Sequence, residues 1–282
     1  MKSNNITFIG GGNMATSLIS GLIADGYDPK RITASDPDGE QLARLAARCG
    51  IRTETDNHQA VADADVVVLA VKPQILESVA RDLAPVIQKQ QPLIISIAAG
   101  VQESALRSWL GNKIALVRSM PNTPAMIQAG ATGLHASRDV SQEQKNLAES
   151  ILRAVGLTRW VAEESLIDAV TAVSGSGPAY FFLVMEAMEE AARDMGLNEE
   201  TARLLTLQTA LGAARMAMES NDSPATLREK VTSPGGTTER ALGILEQGKL
   251  RELFKTALKG ARDRSEELSN MLGKQKKLNN DN

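Results

Sequence analysis

Ile6-Thr7-Phe8-Ile9-Gly10-Gly11-Gly12-Asn13-Met14-Ala15 is the stretch from which the fold is read. Its first four residues form a β-branched and aromatic run that stops at three glycines. After Asn13 the apolar residues Met14, Leu18, Ile19, Leu22 and Ile23 recur at three and four positions, the period of a helix that buries one face. Strand, glycine turn and helix in that order make the string G-x-G-x-x-A a dinucleotide fingerprint. Gly10 permits the turn, Gly12 lets backbone approach a pyrophosphate, and Ala15 allows helix and strand to pack closely. The helix N-terminus then faces the phosphates.

The alternation continues outward. Ile32-Thr33-Ala34-Ser35 reads as a second strand ending at Asp36-Pro37, and Gln41 to Cys49 as an amphipathic helix. Val66 to Val71, Leu93 to Ile97 and Ile114 to Arg118 are apolar at nearly every position, the pattern of strands covered on both faces of a parallel sheet. They end at Lys72-Pro73, Ala98-Ala99-Gly100 and Met120-Pro121-Asn122-Thr123-Pro124. Ligands of open α/β sheets bind at the carboxyl ends of the strands, so these loops and the glycine turn are expected to line one crevice. Lys72 stands there as a cation that could meet a cofactor phosphate or a substrate carboxylate, although most lysines at such strand ends are simply solvated. Two more strands, Ala131 to His135 and Thr158 to Val161, flank a helix from Ser141 to Ala154.

From Glu164 onward, runs rich in Ala, Leu, Met, Glu and Arg alternate with Gly and Pro breaks, and no strand is legible. The expected class is α/β: an N-terminal Rossmann-type dinucleotide-binding domain over 1–162, an all-α dimerisation and substrate domain over 163–272, and a polar tail over 273–282. Two segments of the helical part invite a ligand. Ser174-Gly175-Ser176-Gly177-Pro178 breaks one helix and opens another, placing Ser174 and Ser176 beside exposed backbone; a plain packing break reads the same string equally well. Ser233-Pro234-Gly235-Gly236-Thr237-Thr238 precedes an amphipathic helix and leaves backbone amides at its N-terminus, an anion site; taken alone the string reads more readily as a plain turn, and together with a nucleotide domain it suggests a carboxylate-bearing substrate.

Composition narrows the classes. The 282 residues suffice for two domains, with 43% hydrophobic and 23% charged residues and a formal charge of −3 that offers nothing to nucleic acid. No secretion signal is read, because the first apolar run is cut at Gly10, and no run is expected to reach membrane-spanning length. Cys49 is the only cysteine, which excludes an internal disulfide and points to a reducing cytoplasm. His58 and His135 lack partners at metal-ligand spacing, so no metal is expected.

Taken together, Phe8 to Met14, Ala70-Val71-Lys72-Pro73, Ser96 to Val101, Met120 to Pro124, Ser174 to Tyr180, and Pro224 to Glu246 resemble the pyrroline-5-carboxylate reductase family over nearly the whole chain. The last stretch is the specific one, since glycine fingerprints occur in many dehydrogenases. The resemblance implies reduction of the cyclic imine 1-pyrroline-5-carboxylate to proline by NADPH or NADH. It also implies a helical domain that interleaves with a second copy, and assembly of such homodimers into a ring, a decamer. Carried over by position, Gly10, Gly12, Asn13 and Met14 would hold the pyrophosphate, and Ser35, Asp36 and Asn57 the adenosine side. Lys72, Pro73, Ala98 and Ala99 would serve the nicotinamide half, and Val71 and Asn122 would also bind the cofactor. Gly235, Gly236, Thr237 and Thr238, with Ser174 and Ser176, would hold the substrate, Thr238 being the residue nearest to catalysis. Asp36 departs from the Ser/Thr or basic pattern of NADPH-preferring members, which makes efficient use of NADH the expectation.

A protonated cyclic imine is already an electrophile, so little side-chain chemistry is required, and neither a triad nor a carboxylate pair is legible. Two rivals share parts of the pattern. A dehydrogenase of the 6-phosphogluconate type would use Lys72 or a helical-domain lysine as base and show a lysine-centred pH profile. A nucleotide-sensing protein without turnover would have no use for Ser233 to Thr238.

Overall fold

The computed structural model describes residues 4–274. They form two compact units: residues up to Ser176 together with those from Gly260 onward, and Gly177–Lys259.

The first unit carries an eight-stranded sheet of order β3-β2-β1-β4-β5-β6-β7-β8. The strands are β1 (Ile6–Ile9), β2 (Ile32–Ser35), β3 (Arg52–Glu54), β4 (Val66–Leu69), β5 (Leu93–Ser96), β6 (Ala115–Met120), β7 (Gly130–Ala136) and β8 (Gly156–Trp160). All neighbours are parallel except β6 and β7. Its helices are α1 (Asn13–Ala24), α2 (Gly39–Cys49), α3 (Asn57–Val61), α4 (Pro73–Gln90), α5 (Glu103–Leu110), α6 (Gln142–Arg153) and α7 (Leu166–Val170). Alternate strand residues feed two cores. Ile6, Phe8, Val66, Val68 and Ile95 meet α1, α2 and α6 through Leu18, Leu42 and Ile151. Ile9, Val67, Leu69 and Ile94 meet α4 and α5 through Leu76, Leu83, Leu106 and Trp109. Burial on both faces explains why these strands are continuously apolar.

Most expected strands are present with ends shifted by one or two residues. Helix α2 starts before Gln41 because the Asp38 carboxylate caps it, accepting from the amides of Glu40 and Gln41 at 3.0 Å each. β3, which no apolar pattern marks, pairs with β2 through Thr33 and Arg52. The expected boundary near Ala162-Glu163 comes before the division between the compact units, since α7 and the turn after it belong to the first unit. Glu164 anchors the approach to α7: its carboxylate lies 2.5 Å from the Arg118 guanidinium and accepts from the Glu103 amide at 2.5 Å. Further on, Asp168 is buried and accepts from the Ser265 hydroxyl at 2.6 Å.

The second unit is helical: α8 (Gly177–Asp194), α9 (Glu199–Glu219), α10 (Pro224–Lys230) and α11 (Thr237–Gln247), with α12 (Leu250–Lys274) leading into the residues that rejoin the first unit. No strand occurs from Glu164 onward among the described residues. The tail expected over 273–282 lies, from 275 on, outside the described residues. The unit has almost no core of its own. α8 buries only Gly177, α9 only Ala202 and Thr206, and α10 and α11 bury nothing. Phe181, Phe182, Leu183, Leu204, Leu211 and Met218 are all more than half exposed. One reading of the sequence is corrected here: Leu166–Asp194 is long and apolar enough, by length and composition, to cross a membrane. It is broken by a π turn at Thr171–Gly175 and includes the exposed aromatic face of α8.

Candidate cofactor and substrate site

Gly10 adopts φ +102°, in the region that favours glycine. Its amide donates to the Ser35 carbonyl at 2.7 Å, and a Cβ there would sit 2.8 Å from the Ala70 carbonyl oxygen, so the turn is wedged between the ends of β2 and β4. Gly12 is the N-cap of α1, carries no side-chain cap, and a Cβ on it would meet nothing within 4 Å. An uncapped helix start beside open space at a glycine is a fit for a pyrophosphate. Asn13 is exposed and Met14 half-buried on the first turn.

The adenosine-side residues are tied to one another. Asp36 accepts from the Gly11 amide (2.8 Å) through Oδ2 and from the Asp38 amide (3.0 Å) through Oδ1, so both carboxylate oxygens hold backbone. The Ser35 hydroxyl donates to Asn57 Oδ1 at 2.7 Å, joining β2 to the start of α3. A cavity of about 280 Å³ lies beside them, lined by Gly11, Asn13, Thr16, Gln41, Arg44 and Arg48. Gln41 donates to the Gly11 carbonyl, which fixes α2 to the turn. The two arginines escaped the sequence reading, because nothing local links α2 to the glycine turn.

Along the strand ends, Lys72 is the exposed N-cap of α4 and Pro73 its first residue, with Val71 half-buried behind them. Val71 packs beneath the turn, its Cγ1 lying 3.1 Å from the position of a Gly10 Cβ. Ala98 is buried and Ala99 exposed after β5. Asn122 is buried after β6; its amide donates to the Ser174 carbonyl (3.0 Å) and accepts from the Ala131 amide (2.8 Å). Ser174 turns its own hydroxyl back to the Val170 carbonyl at 3.0 Å, so that group is committed to the helix. Ser176 follows the π turn and donates its amide to the Thr171 carbonyl at 2.8 Å.

In the second unit, Gly236 caps α11 without a side-chain bond, and Thr237 and Thr238 form its first turn. The amides of Gly235 and Gly236 are not free as the sequence suggested. Gly235, at φ +72°, donates to the Glu239 carboxylate at 2.7 Å, and Gly236 donates to the Ser233 carbonyl at 3.0 Å. The donors that helix geometry leaves for an anion are the amides of Thr237, Thr238 and Glu239. At the other end of α11, the Arg251 guanidinium bonds Glu246 at 2.8 Å and holds its carboxyl below the usual range. Among the described residues no group of three or more His, Cys, Asp or Glu side chains could hold a metal ion.

Comparison with known proteins places these parts in a family. Residues 164–268 match a model described as pyrroline-5-carboxylate reductase dimerisation, and 5–100 one described as NADP oxidoreductase coenzyme F420-dependent. A pyrroline-5-carboxylate reductase of Pseudomonas aeruginosa is 52% identical over 97% of this chain and 100% of its own length. The structure of a pyrroline-5-carboxylate reductase from Coxiella burnetii superposes with a TM-score of 0.92 at 54% identity, covering 95% of this chain and 99% of that one. That of a Plasmodium falciparum pyrroline carboxylate reductase with NADP bound gives 0.84 at 27% identity, covering 95% and 99%. The dinucleotide turn on a parallel sheet, the helical part with its uncovered faces, and full-length likeness at this identity agree: the chain belongs to the pyrroline-5-carboxylate reductase family.

Proposed function

We propose that this chain reduces 1-pyrroline-5-carboxylate to L-proline with NADPH or NADH as a step of proline biosynthesis in the cytoplasm. The observation that carries the reading is the pairing, in one chain, of an open glycine turn at Gly12 with an uncapped α11 beginning Thr237-Thr238. The first suits a pyrophosphate and the second a substrate carboxylate. When bound, the reduced nicotinamide supplies a hydride to the imine carbon. The chain's task is to hold the substrate, exclude water and accept the loss of positive charge at the ring nitrogen. In this reading the Thr237 and Thr238 amides take the carboxylate, and the Thr238 hydroxyl orients the ring nitrogen and stands next to its proton. Lys72, Pro73, Val71, Ala98 and Ala99 line the nicotinamide half, and Gly10, Gly12, Asn13 and Met14 the pyrophosphate. Cofactor oxidation followed with and without pyrroline-5-carboxylate tests the reading; oxidation that ignores this substrate would overturn it.

Thr238→Ala removes one hydroxyl contact to the ring nitrogen. It should lower kcat/KM for pyrroline-5-carboxylate by roughly ten- to a hundredfold, about 1–3 kcal/mol, with cofactor Kd and melting temperature close to wild type. Unchanged kcat/KM would remove Thr238 from the site.

Asp36 and Arg44 with Arg48 act in opposite senses on a ribose 2′-phosphate: the carboxylate repels it and the guanidiniums attract it. Asp36→Ser should therefore raise the NADPH-to-NADH ratio of kcat/KM, on the order of tenfold, the effect of about 1.4 kcal/mol. A constant ratio would mean that Asp36 serves only the turn it holds.

Residues 163–272 are assigned to dimerisation. Exposed apolar side chains on α8 and α9 need a cover that one copy of the unit does not supply, and a second copy matches the dimerisation model found over 164–268. The homodimer, with dimers gathered into a decamer as its larger form, is the proposed working state. It also accounts for the apolar length of Leu166–Asp194 without a membrane.

A further inference from the structure

Thr171–Gly175 is a π turn, closed by the Ser176 amide bonding the Thr171 carbonyl five residues back. Such turns take carbonyls out of the regular ladder, and they concentrate at functional sites. Here the Ser174 carbonyl finds its partner 52 residues away, on the buried Asn122 side chain (Nδ2 to O, 3.0 Å). The other end of the same amide accepts from the Ala131 backbone at the start of β7 (2.8 Å). Asn122 thus bridges two backbone segments, using one donor and one acceptor on a single planar group. The turn also lies directly on the end of β6: a Cβ on Gly175 would come within 2.6 Å of Met120 Cε. Position 122 must donate to a carbonyl and accept from an amide at once. An ionised carboxylate keeps the acceptor but sets its charge against the Ser174 carbonyl, and a short hydroxyl does not reach.

Resting on the reductase reading above, we propose that Asn122 is a positioning residue for the reaction. Its amide fixes the π turn and thereby sets the backbone of Ser174 to Ser176 at the carboxyl edge of the sheet, near the ends of β5 and β6. It acts through that turn and does not itself hold the cofactor. One Nδ2 hydrogen and one Oδ1 lone pair of the side chain are committed to backbone within the protein.

Two variants test this. Asn122→Asp preserves the volume and the acceptor and loses the donor; Asn122→Ser shortens the reach without adding charge, and carries the test should the first not fold. In each, kcat and KM for pyrroline-5-carboxylate are measured beside Kd for NADPH and NADH, and amide hydrogen exchange is followed at Ser176. The expected result is a fall of about tenfold or more in kcat/KM, Kd for either cofactor within about twofold of wild type, and exchange at Ser176 about tenfold faster or more. A cofactor Kd that rises in step with the loss of kcat/KM overturns the proposal and makes Asn122 a direct cofactor ligand. Wild-type kcat/KM in a folded variant also overturns it, as does unchanged exchange at Ser176. Should the wild-type protein not turn over pyrroline-5-carboxylate at all, it is the reductase reading that falls, and this assignment with it; a working wild type with unaffected variants removes only the assignment.

Discussion

Gly12→Val should fold and melt like the wild-type protein and yet bind NADPH and NADH at least about a hundredfold more weakly, a loss of roughly 3 kcal/mol. The two halves of that result have separate causes. Gly12 has φ −66° and ψ −177°, backbone that any residue adopts, and its Cβ position is empty of neighbours, so the fold has no objection to a side chain. In the proposed reading, the space the isopropyl group enters is the one through which the uncapped first turn of α1 would reach a pyrophosphate. Gly10→Val makes the contrast. There the backbone is left-handed at φ +102°, and the new Cβ meets the Ala70 carbonyl oxygen at 2.8 Å, so the strain falls on the β1, β2 and β4 ends themselves. That variant should lose thermal stability as well as cofactor. Titration calorimetry beside a melting curve distinguishes them; a Gly12→Val protein with wild-type Kd would put the phosphates elsewhere.

The other large effect concerns the helical unit. Phe181→Arg combined with Leu211→Arg should abolish the homodimer at micromolar concentration and with it nearly all turnover. Phe181 is 66% exposed and Leu211 54%, in a unit whose helices bury only three residues between them. Covering a large apolar side chain contributes about 1.5–3 kcal/mol, and a buried, unpaired guanidinium in its place costs several more. Sedimentation velocity reads the outcome directly. A wild-type chain that sediments as an active monomer, or a double variant that remains a dimer, would show that these faces are covered in some other way.

Much of the sheet was legible because its strands are buried on both faces and therefore announce themselves as unbroken apolar runs, Val66-Val67-Val68-Leu69 being the plainest. β3 was not, for the opposite reason: Arg52-Thr53-Glu54 is a three-residue edge strand whose residues are only half-buried or exposed, and only its neighbour β2 makes it a strand. The antiparallel pairing of β7 with β6 was equally hidden, since an apolar run carries no direction. At the site, the glycine turn was readable as backbone, because Gly10 is required by its own φ. The side chains around it were not. Asp36, Ser35 with Asn57, and Asn122 take their partners 25, 22 and 52 positions away, distances across which no periodicity reports. The same holds for Arg44 and Arg48, brought to the turn by the packing of α2.

The bond between Asp168 and Ser265 spans 97 positions, and every residue of the second unit is made in between. On the ribosome, then, the first unit can assemble its sheet as soon as β8 has emerged, but it stays incomplete while the helical unit is synthesised. At roughly 5–20 residues per second that interval lasts about 5 to 20 seconds. Throughout it, Asp168 lacks the hydroxyl it holds in the finished protein and the apolar faces of α8 and α9 emerge uncovered. Completion of the first unit waits on residues from Gly260 onward, which are made only after the whole of the second unit.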